Sequence, residues 1–412
     1  MRHLADAQTD VLDAMRPLPE ANVPLVECLG LVLAAPVAAP HDLPPFANSA
    51  MDGYAVRVAD VGEPPVRLVV VEDVPAGSVP TRSVEPGTAI KIMTGAPLPE
   101  GAEAVVRVED TVGGEGAVEV LASVTAGTSV RPAGGDVRAG TSVFASGEQL
   151  TPAHLGMLAS LGIASPTVRR RPVVAVMSTG DELEPPETER LEPGKIRDSN
   201  RFVLRGLLAE MGAVVMDYGI VGDDAAALNR TLADAAEAAD VVLTSGGVSM
   251  GDYDLVKQEL AKLGTVEFWK VAMQPAKPFA FGDLGGTPLF GLPGNPVSVF
   301  VAFEQFVRPA VLHMMGATAL FRPRVAAVAD EPFETDPAKT VFLRSVASPD
   351  TAGMWHARSA GGQSSNVLSA LAAATAFTVV PVGVGEVPVG AEIELELFRQ
   401  PSVRTREEAL GG

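Results

Sequence analysis

The chain has 412 residues, of which 47% are hydrophobic and 20% are charged, a balance typical of a folded, water-soluble protein of several domains. Its formal net charge of −20 argues against a nucleic-acid-binding role, because such proteins present a basic face to the phosphates. No segment approaches the run of about 20 apolar residues that a membrane span needs, so we expect no membrane insertion.

The N-terminal residues 1–40 are predicted to form a helical domain together with residues 148–172. The opening sequence MRHLADAQTD lacks the apolar core of an export signal, which predicts a mature protein that starts near Met1 and stays in the cytoplasm. Cys28 is the single cysteine and the five histidines are scattered, so neither a disulfide nor a zinc site is expected. Any metal should therefore be held by oxygen atoms.

Residues 41–147 are rich in glycine, proline and valine, and their short apolar runs between turns predict a small β-rich domain. Its segment PPFANSAMDGYAV surrounds one acid, Asp52, with Phe46, Met51 and Tyr54. The segment is either a linking turn packed on apolar side chains or a carboxylate presented to a neighbouring site.

Residues 173–322 alternate strand and helix patterns, which predicts a central doubly wound α/β domain with a parallel sheet. Ligands of such sheets bind at the carboxyl ends of the strands. Residues 323–412 return to a β pattern and predict a C-terminal domain resembling a β-barrel.

The strand DVVLT runs into the glycine-rich loop SGGVSMGDYD, which ends at Asp254. Gly246, Gly247 and Gly251 would let backbone N–H groups approach a phosphate, and the loop acids could bind a divalent cation. Taken alone, such a loop is more often an ordinary turn between a strand and a helix.

Three further loops follow predicted strands of the same domain: STGDEL, GDD and GLPGNPVS. Each could be a helix cap or tight turn, but together they predict one pocket for a phosphorylated ligand with magnesium. Two lysines, Lys270 and Lys277, flank the neighbouring segment and are either solvated edge residues or a clamp for the ligand.

The motifs PPFANSAMDGYAV, KIMTGAPLPEGAEAVV, RPAGGD, STGDEL, GKIRDSN, SGGVSMGDYD, KPFAFG and GLPGNPVS resemble, in this order, the molybdopterin molybdenumtransferase family. These molybdenum insertases include the E domain of gephyrin. The resemblance implies a homodimer with an active site between the central domain of one subunit and the MDGYA-bearing domain of the other. It also implies a reaction in which adenylylated molybdopterin and molybdate, with Mg²⁺, give AMP and a molybdenum-loaded pterin.

The resemblance assigns a catalytic cluster made of Asp52, Thr94, Glu182, Asp223 and Asp254. It assigns the metal to Glu182, Asp223 and Asp254, with Asp224 as an alternative to Asp223. The implied contacts to the pterin phosphate and the oxyanion are Ser245, Gly246, Gly247, Ser249, Gly251, Lys270, Lys277, Pro293, Pro296, Arg344 and Ser365.

Two positions depart from the family pattern. Gln274 stands where many relatives have lysine, so we expect a weaker molybdate site, and Ala47 replaces an aspartate without an expected effect. Two alternatives remain: a gephyrin-like scaffold that tethers partners, and the adenylyltransferase of the preceding step, whose central domain is similar to residues 173–316.

Overall fold

The computed structural model describes residues 1–222, 224–246 and 264–399. At its centre lies a sheet of six strands, whose spatial order is Val214–Val221, Val173–Thr179, Val241–Ser245, Thr287–Leu292, Pro278–Leu284 and Thr265–Lys270. The first four strands run parallel, and the next two pair antiparallel at one edge. The edge differs from the predicted parallel sheet because only Gly285 and Gly286 join two of its strands, a connection too short for a crossover.

The helices Asn200–Glu210 and Ala225–Ala238 belong to two different hydrophobic cores. Along strand 173–179, Val176 shares a core with the first helix, and its neighbour Met177 shares a core with the second. Adjacent side chains of a strand point to opposite faces, so the two helices cover opposite faces of the sheet. The prediction of a doubly wound α/β domain is confirmed.

The last central helix consists of Pro296–Ala302, a π-helical turn Phe303–Val307 and Arg308–Met314. It is long and apolar enough to cross a membrane by composition, but 83% of its apolar window is buried inside the fold. The N-terminal helix Leu4–Ala14 contributes Ala7 to the same core.

The β-rich region before the central sheet contains a second sheet of six strands, ordered Ala104–Arg107, Gly53–Val56, Thr88–Ile92, Val66–Val74, Ala117–Val120 and Thr111–Gly114. Outside this sheet, short antiparallel pairs join distant segments of the N-terminal part of the chain: Glu20–Asn22 with Thr167–Arg169, Val37–Ala38 with Ser142–Phe144, and Asn48–Ser49 with Val130–Arg131. Single 3₁₀ turns occur at Leu25–Glu27, Val58–Asp60 and Val108–Asp110. The helix Pro152–Ser160 is capped at its start by Thr151, whose side chain accepts a hydrogen bond from the His154 N–H.

The C-terminal sheet closes on itself through the strands Thr340–Pro349, Trp355–Ser359, Arg324–Ala329, Glu392–Leu397 and Ala376–Val380, which gives the predicted barrel-like β domain. A short strand from the central region, Met273–Gln274, adds to it in parallel. The remaining elements are the helix Leu368–Ala373 and the pairs Phe333–Glu334 with Glu386–Val387 and Leu183–Glu184 with Ile196–Arg197.

Candidate active site

The carboxyl ends of the parallel strands meet at one edge of the central sheet. There Gly246 lies against the backbone of the strands on either side of its own strand. Its N–H donates to the Leu292 carbonyl at 3.1 Å, and its φ of +93° is a conformation that favours glycine. A Cβ at this position would lie 2.5 Å from the Thr179 carbonyl oxygen. The predicted glycine loop therefore begins between the ends of Val173–Thr179 and Thr287–Leu292, the two strands that flank its own.

Replacing Gly246 with alanine should destabilise the protein by about 3 kcal/mol, because a strained φ and a backbone collision coincide. Gly285→Ala is the matched control, since Gly285 has a φ of +66° and open space around its Cβ direction. We expect the control to cost about 1 kcal/mol from φ strain alone. Urea unfolding of both variants measures the difference, and equal losses would contradict the close packing at Gly246.

Asn200 ties two of these strand ends together. Its Nδ2 donates to Ser245 Oγ at 2.9 Å and to the Gly294 carbonyl at 2.7 Å. Asp198 fixes the helix start by accepting from the Arg201 N–H at 3.2 Å and from Arg201 Nε at 2.9 Å. Among the described residues the buried Asn200 Oδ1 has no hydrogen-bond partner. The role of Asn200 in orienting Ser245 was not predicted from the sequence.

Glu182 also lies at this edge, directly after strand 173–179. Its carboxylate folds back over Gly180, where any Cβ would collide with it. Asp181 Oδ1 lies close to Gly222 at the end of the adjacent strand. Two carboxylates thus lie near the ends of adjacent parallel strands, and hard divalent cations prefer such oxygen ligands.

The metal-binding prediction falls only partly on described residues. Asp223 and Asp254 lie outside them, as do Gly247, Ser249 and Gly251 of the predicted phosphate loop. Within the described ranges, no group of three or more His, Cys, Asp or Glu side chains is placed to hold a metal ion. The oxygen donors at Glu182 fit a cation without completing its site.

A pocket of about 540 Å³ opens between the central domain and the C-terminal barrel. We call it the oxyanion pocket, and its lining includes Lys277, Pro293, Arg344 and Ser365 from the predicted set. Ser365 Oγ accepts a hydrogen bond from Asn295 Nδ2 at 3.0 Å, which joins the two domains across the pocket. The pocket also borders Ala276, which has the unusual φ of +70° for a residue other than glycine.

Arg344 is the most informative residue of the oxyanion pocket because it is only 1% exposed. Its Nη2 donates to the carbonyls of Gly362 at 2.8 Å and Ser364 at 3.1 Å, whereas its Nε has no partner among the described residues. Within the described ranges, Arg344 forms no ion pair with a carboxylate. Burial lowers the pKa of the Arg344 guanidinium to about 10. A buried cation without a counter-ion at a pocket wall is suited to bind an anion.

Gln363 holds the loop that carries these groups, a role that no sequence pattern indicates. Its Oε1 accepts from the Arg344 N–H at 3.0 Å, and its Nε2 donates to the Arg344 carbonyl at 2.9 Å. The amide thus pairs with the backbone of Arg344 as a neighbouring strand would. This fixes the carbonyls that orient the guanidinium.

Two predicted residues lie beside the oxyanion pocket without lining it. Lys270 ends the edge strand Thr265–Lys270, where its carbonyl accepts from the Arg2 N–H at 2.8 Å. Pro296 is the first residue of the helix that follows Asn295.

Asp52 and Thr94 are paired in the N-terminal sheet region. Asp52 Oδ1 accepts from both the Thr94 N–H and Thr94 Oγ1 at 2.7 Å. These hydrogen bonds, the backbone one first, hold the pKa of the Asp52 carboxyl below its ordinary value. Within the described residues the pair makes no hydrogen bond or ion pair with the central domain of its own chain.

Thr94→Val should raise the pKa of the Asp52 carboxyl towards its ordinary value, because one of two hydrogen bonds to the charged form is lost. Because the pKa of Asp52 is lower in the folded than in the unfolded protein, its ionised form stabilises the fold at pH values above the unfolded pKa. That stabilisation is lost as the pH falls through the folded pKa. A carboxyl ¹³C NMR titration of both proteins measures the change, with Thr94→Ser as the control that keeps the hydroxyl. An unchanged titration in the valine variant would contradict the bond.

Comparison with known proteins agrees with this architecture along nearly the whole chain. Residues 2–162 match the MoeA N-terminal region (domain I and II), residues 175–313 a probable molybdopterin binding domain, and residues 326–398 the MoeA C-terminal region (domain IV). A molybdopterin molybdenumtransferase 2 of Mycobacterium tuberculosis H37Rv is 41% identical over 96% of this chain and 99% of its own length. The chain belongs to the molybdopterin molybdenumtransferase family.

Other relatives extend the family across bacteria and archaea. A molybdopterin molybdenumtransferase of Haemophilus influenzae is 37% identical over 91% of this chain and 93% of its own length. The crystal structure of a molybdopterin biosynthesis moeA protein from Pyrococcus horikoshii OT3 superposes with a TM-score of 0.82 at 30% identity, covering 97% of this chain and 100% of that chain. The family resemblance and fold class expected from sequence are thereby confirmed.

Proposed function

We propose that the protein transfers molybdenum from molybdate to adenylylated molybdopterin and releases AMP, as an enzyme of molybdenum cofactor biosynthesis. The curated relatives are named as enzymes for this transfer, which favours catalysis over a gephyrin-like tethering role. The observation that carries the proposal is Arg344, a buried guanidinium without a carboxylate partner in the described residues, at the wall of a pocket shared with Lys277 and Ser365.

The oxyanion pocket is the proposed molybdate site. Molybdate is a tetrahedral dianion whose four oxygens accept hydrogen bonds, so ammonium, guanidinium and hydroxyl donors suit it. Lys277 and Arg344 supply charge, and Ser365 supplies a hydroxyl that Asn295 orients. Donors fixed before the ligand binds need little rearrangement during reaction, which is how enzymes stabilise developing charge.

The pterin nucleotide is proposed to lie along the carboxyl edge of the central sheet. Ser245 and Gly246 begin the loop that would hold its terminal phosphate, and Pro293, which follows the adjacent strand Thr287–Leu292, lines the oxyanion pocket. Glu182, with Asp223 and Asp254 outside the described residues, would hold Mg²⁺. When bound, that cation would supply positive charge against the phosphoanhydride oxygens.

The Asp52–Thr94 pair belongs to this proposal as a contribution from a second subunit. The pair keeps Asp52 ionised and points its carboxylate at no group of its own central domain among the described contacts. A homodimer would bring it to the partner's central sheet. The four-domain division, the homodimer and the cytoplasmic location stay predictions.

The test is to incubate purified protein with adenylylated molybdopterin and Mg²⁺ and to follow AMP with and without molybdate. AMP release that depends on molybdate is expected. A protein that only tethers partners would release none, and a protein that consumed ATP to adenylylate molybdopterin would be the enzyme of the preceding step.

A further inference from the structure

A third cation, Lys339, enters the oxyanion pocket from the C-terminal barrel. It directly precedes strand Thr340–Pro349, which pairs in parallel with Met273–Gln274 so that Met273 faces Thr340 and Gln274 faces Val341. The Thr340 N–H also donates to the Ala272 carbonyl at 3.0 Å. Backbone pairing between the two domains therefore sets Lys339 beside Gln274.

The side-chain contacts of Lys339 agree with this backbone register. Its Nζ lies 2.6 Å from Asp336 Oδ2 and 3.4 Å from Gln274 Oε1, and the side chain is 18% exposed. Lys339, Lys277 and Arg344 line the same pocket, with Glu334 as the one acid among its lining residues in the described part of the chain. Asp336 and Gln274 anchor the ammonium at the rim instead of leaving it to solvent.

The Lys339 ammonium can still donate a hydrogen bond to a ligand in this arrangement. A lysine ammonium has three N–H donors, and Asp336 and Gln274 engage two of them among the described contacts. The third is available to an oxygen of a tetrahedral anion in the pocket. Gln274 carries no charge, so the positive charge in contact with its side chain comes from Lys339.

We propose that Lys339 is a binding residue for the oxyanion, and that it supplies the charge that residue 274 lacks. The inference rests on the proposed function, because it treats the pocket as the molybdate site. The role of Lys339 revises the expectation that Gln274 weakens molybdate binding. A cation from another domain lies beside Gln274, so we expect no loss of affinity from this residue.

Isothermal titration of the full-length protein with molybdate alone tests the proposal. Lys339→Met should weaken molybdate binding about tenfold, the loss expected for one charge-assisted hydrogen bond. Arg67→Met, which removes an exposed cation from strand Val66–Val74, is the matched control and should leave the affinity unchanged. Adding Gln274→Lys to Lys339→Met should restore most of the affinity, because residue 274 reaches the position of the lost ammonium.

The outcomes separate this inference from the function on which it rests. Unchanged affinity in Lys339→Met, or a loss that Gln274→Lys does not restore, would overturn the role of Lys339. If Arg344→Met still abolished binding in the first case, the pocket would remain the molybdate site. If neither variant altered binding, both the inference and the proposed site would fall. Thermal unfolding of each variant identifies losses that come from misfolding.

Discussion

Arg344→Met is expected to abolish measurable molybdate binding and to slow molybdate-dependent AMP release by about 100-fold or more, the usual cost of removing a preorganised donor to an oxyanion. Arg344 is the deepest cation of the oxyanion pocket, and its guanidinium is held by the carbonyls of Gly362 and Ser364. Methionine keeps much of the side-chain volume but provides neither charge nor donors. Titration with molybdate and a single-turnover AMP assay measure the two effects.

The stability of the same variant distinguishes a binding role from a structural one. A buried guanidinium without a counter-ion is costly to the fold, so its replacement by an apolar side chain should leave the thermal midpoint unchanged or higher. Arg344→Lys is the control: it keeps the charge but loses the planar fork, so intermediate affinity is expected. Normal molybdate binding by a well-folded methionine variant would contradict the assignment of the pocket.

Asp52→Ala and Glu182→Ala are each expected to stop turnover, yet a reassociated mixture of the two should recover activity. If the active site combines Asp52 of one subunit with Glu182 of the other, a mixed dimer has one site with both lesions and one intact site. Random reassociation makes half of the dimers mixed, so about a quarter of the wild-type activity should return. AMP release from the mixture, after mild dissociation and refolding together, provides the measurement.

The control for this experiment is the double variant Asp52→Ala/Glu182→Ala mixed with wild type. There the mixed dimer has one lesion in each site, so only the wild-type homodimers, about a quarter of the dimers after random reassociation, should be active. Both single variants should fold normally, because Asp52 and Glu182 are both exposed. No recovery from the first mixture, with both proteins folded and dimeric, would contradict a site shared between subunits.

The sequence predicted the central fold well because strand and helix periods there are regular. Valine-rich strands and the helix residues around Leu204 and Leu228 have the burial that their spacing predicts. The antiparallel edge was not foreseen, because the strand that runs opposite to the others, Pro278–Leu284, has a composition that fits either direction. Direction depends on the length of the connections, and the pattern of one strand does not encode it.

The residues of the proposed site were expected from the sequence where motifs carry them, but not where contacts between distant segments bring them together. Lys277, Pro293, Arg344 and Ser365 were expected from the family resemblance, and they line one pocket. Gln363 and Lys339 were missed because their roles depend on contacts between distant segments. A glutamine that imitates a strand partner and a lysine placed by a cross-domain register leave no local signal.

The most direct test of the central claim is the stoichiometry of a single turnover. Protein loaded with adenylylated molybdopterin and Mg²⁺ is given molybdate, and AMP is counted against the molybdenum that stays bound to the pterin after gel filtration. The proposed function predicts one molybdenum retained for each AMP released, and neither product in Arg344→Met. AMP release without retained molybdenum, or release that needs no molybdate, would contradict it.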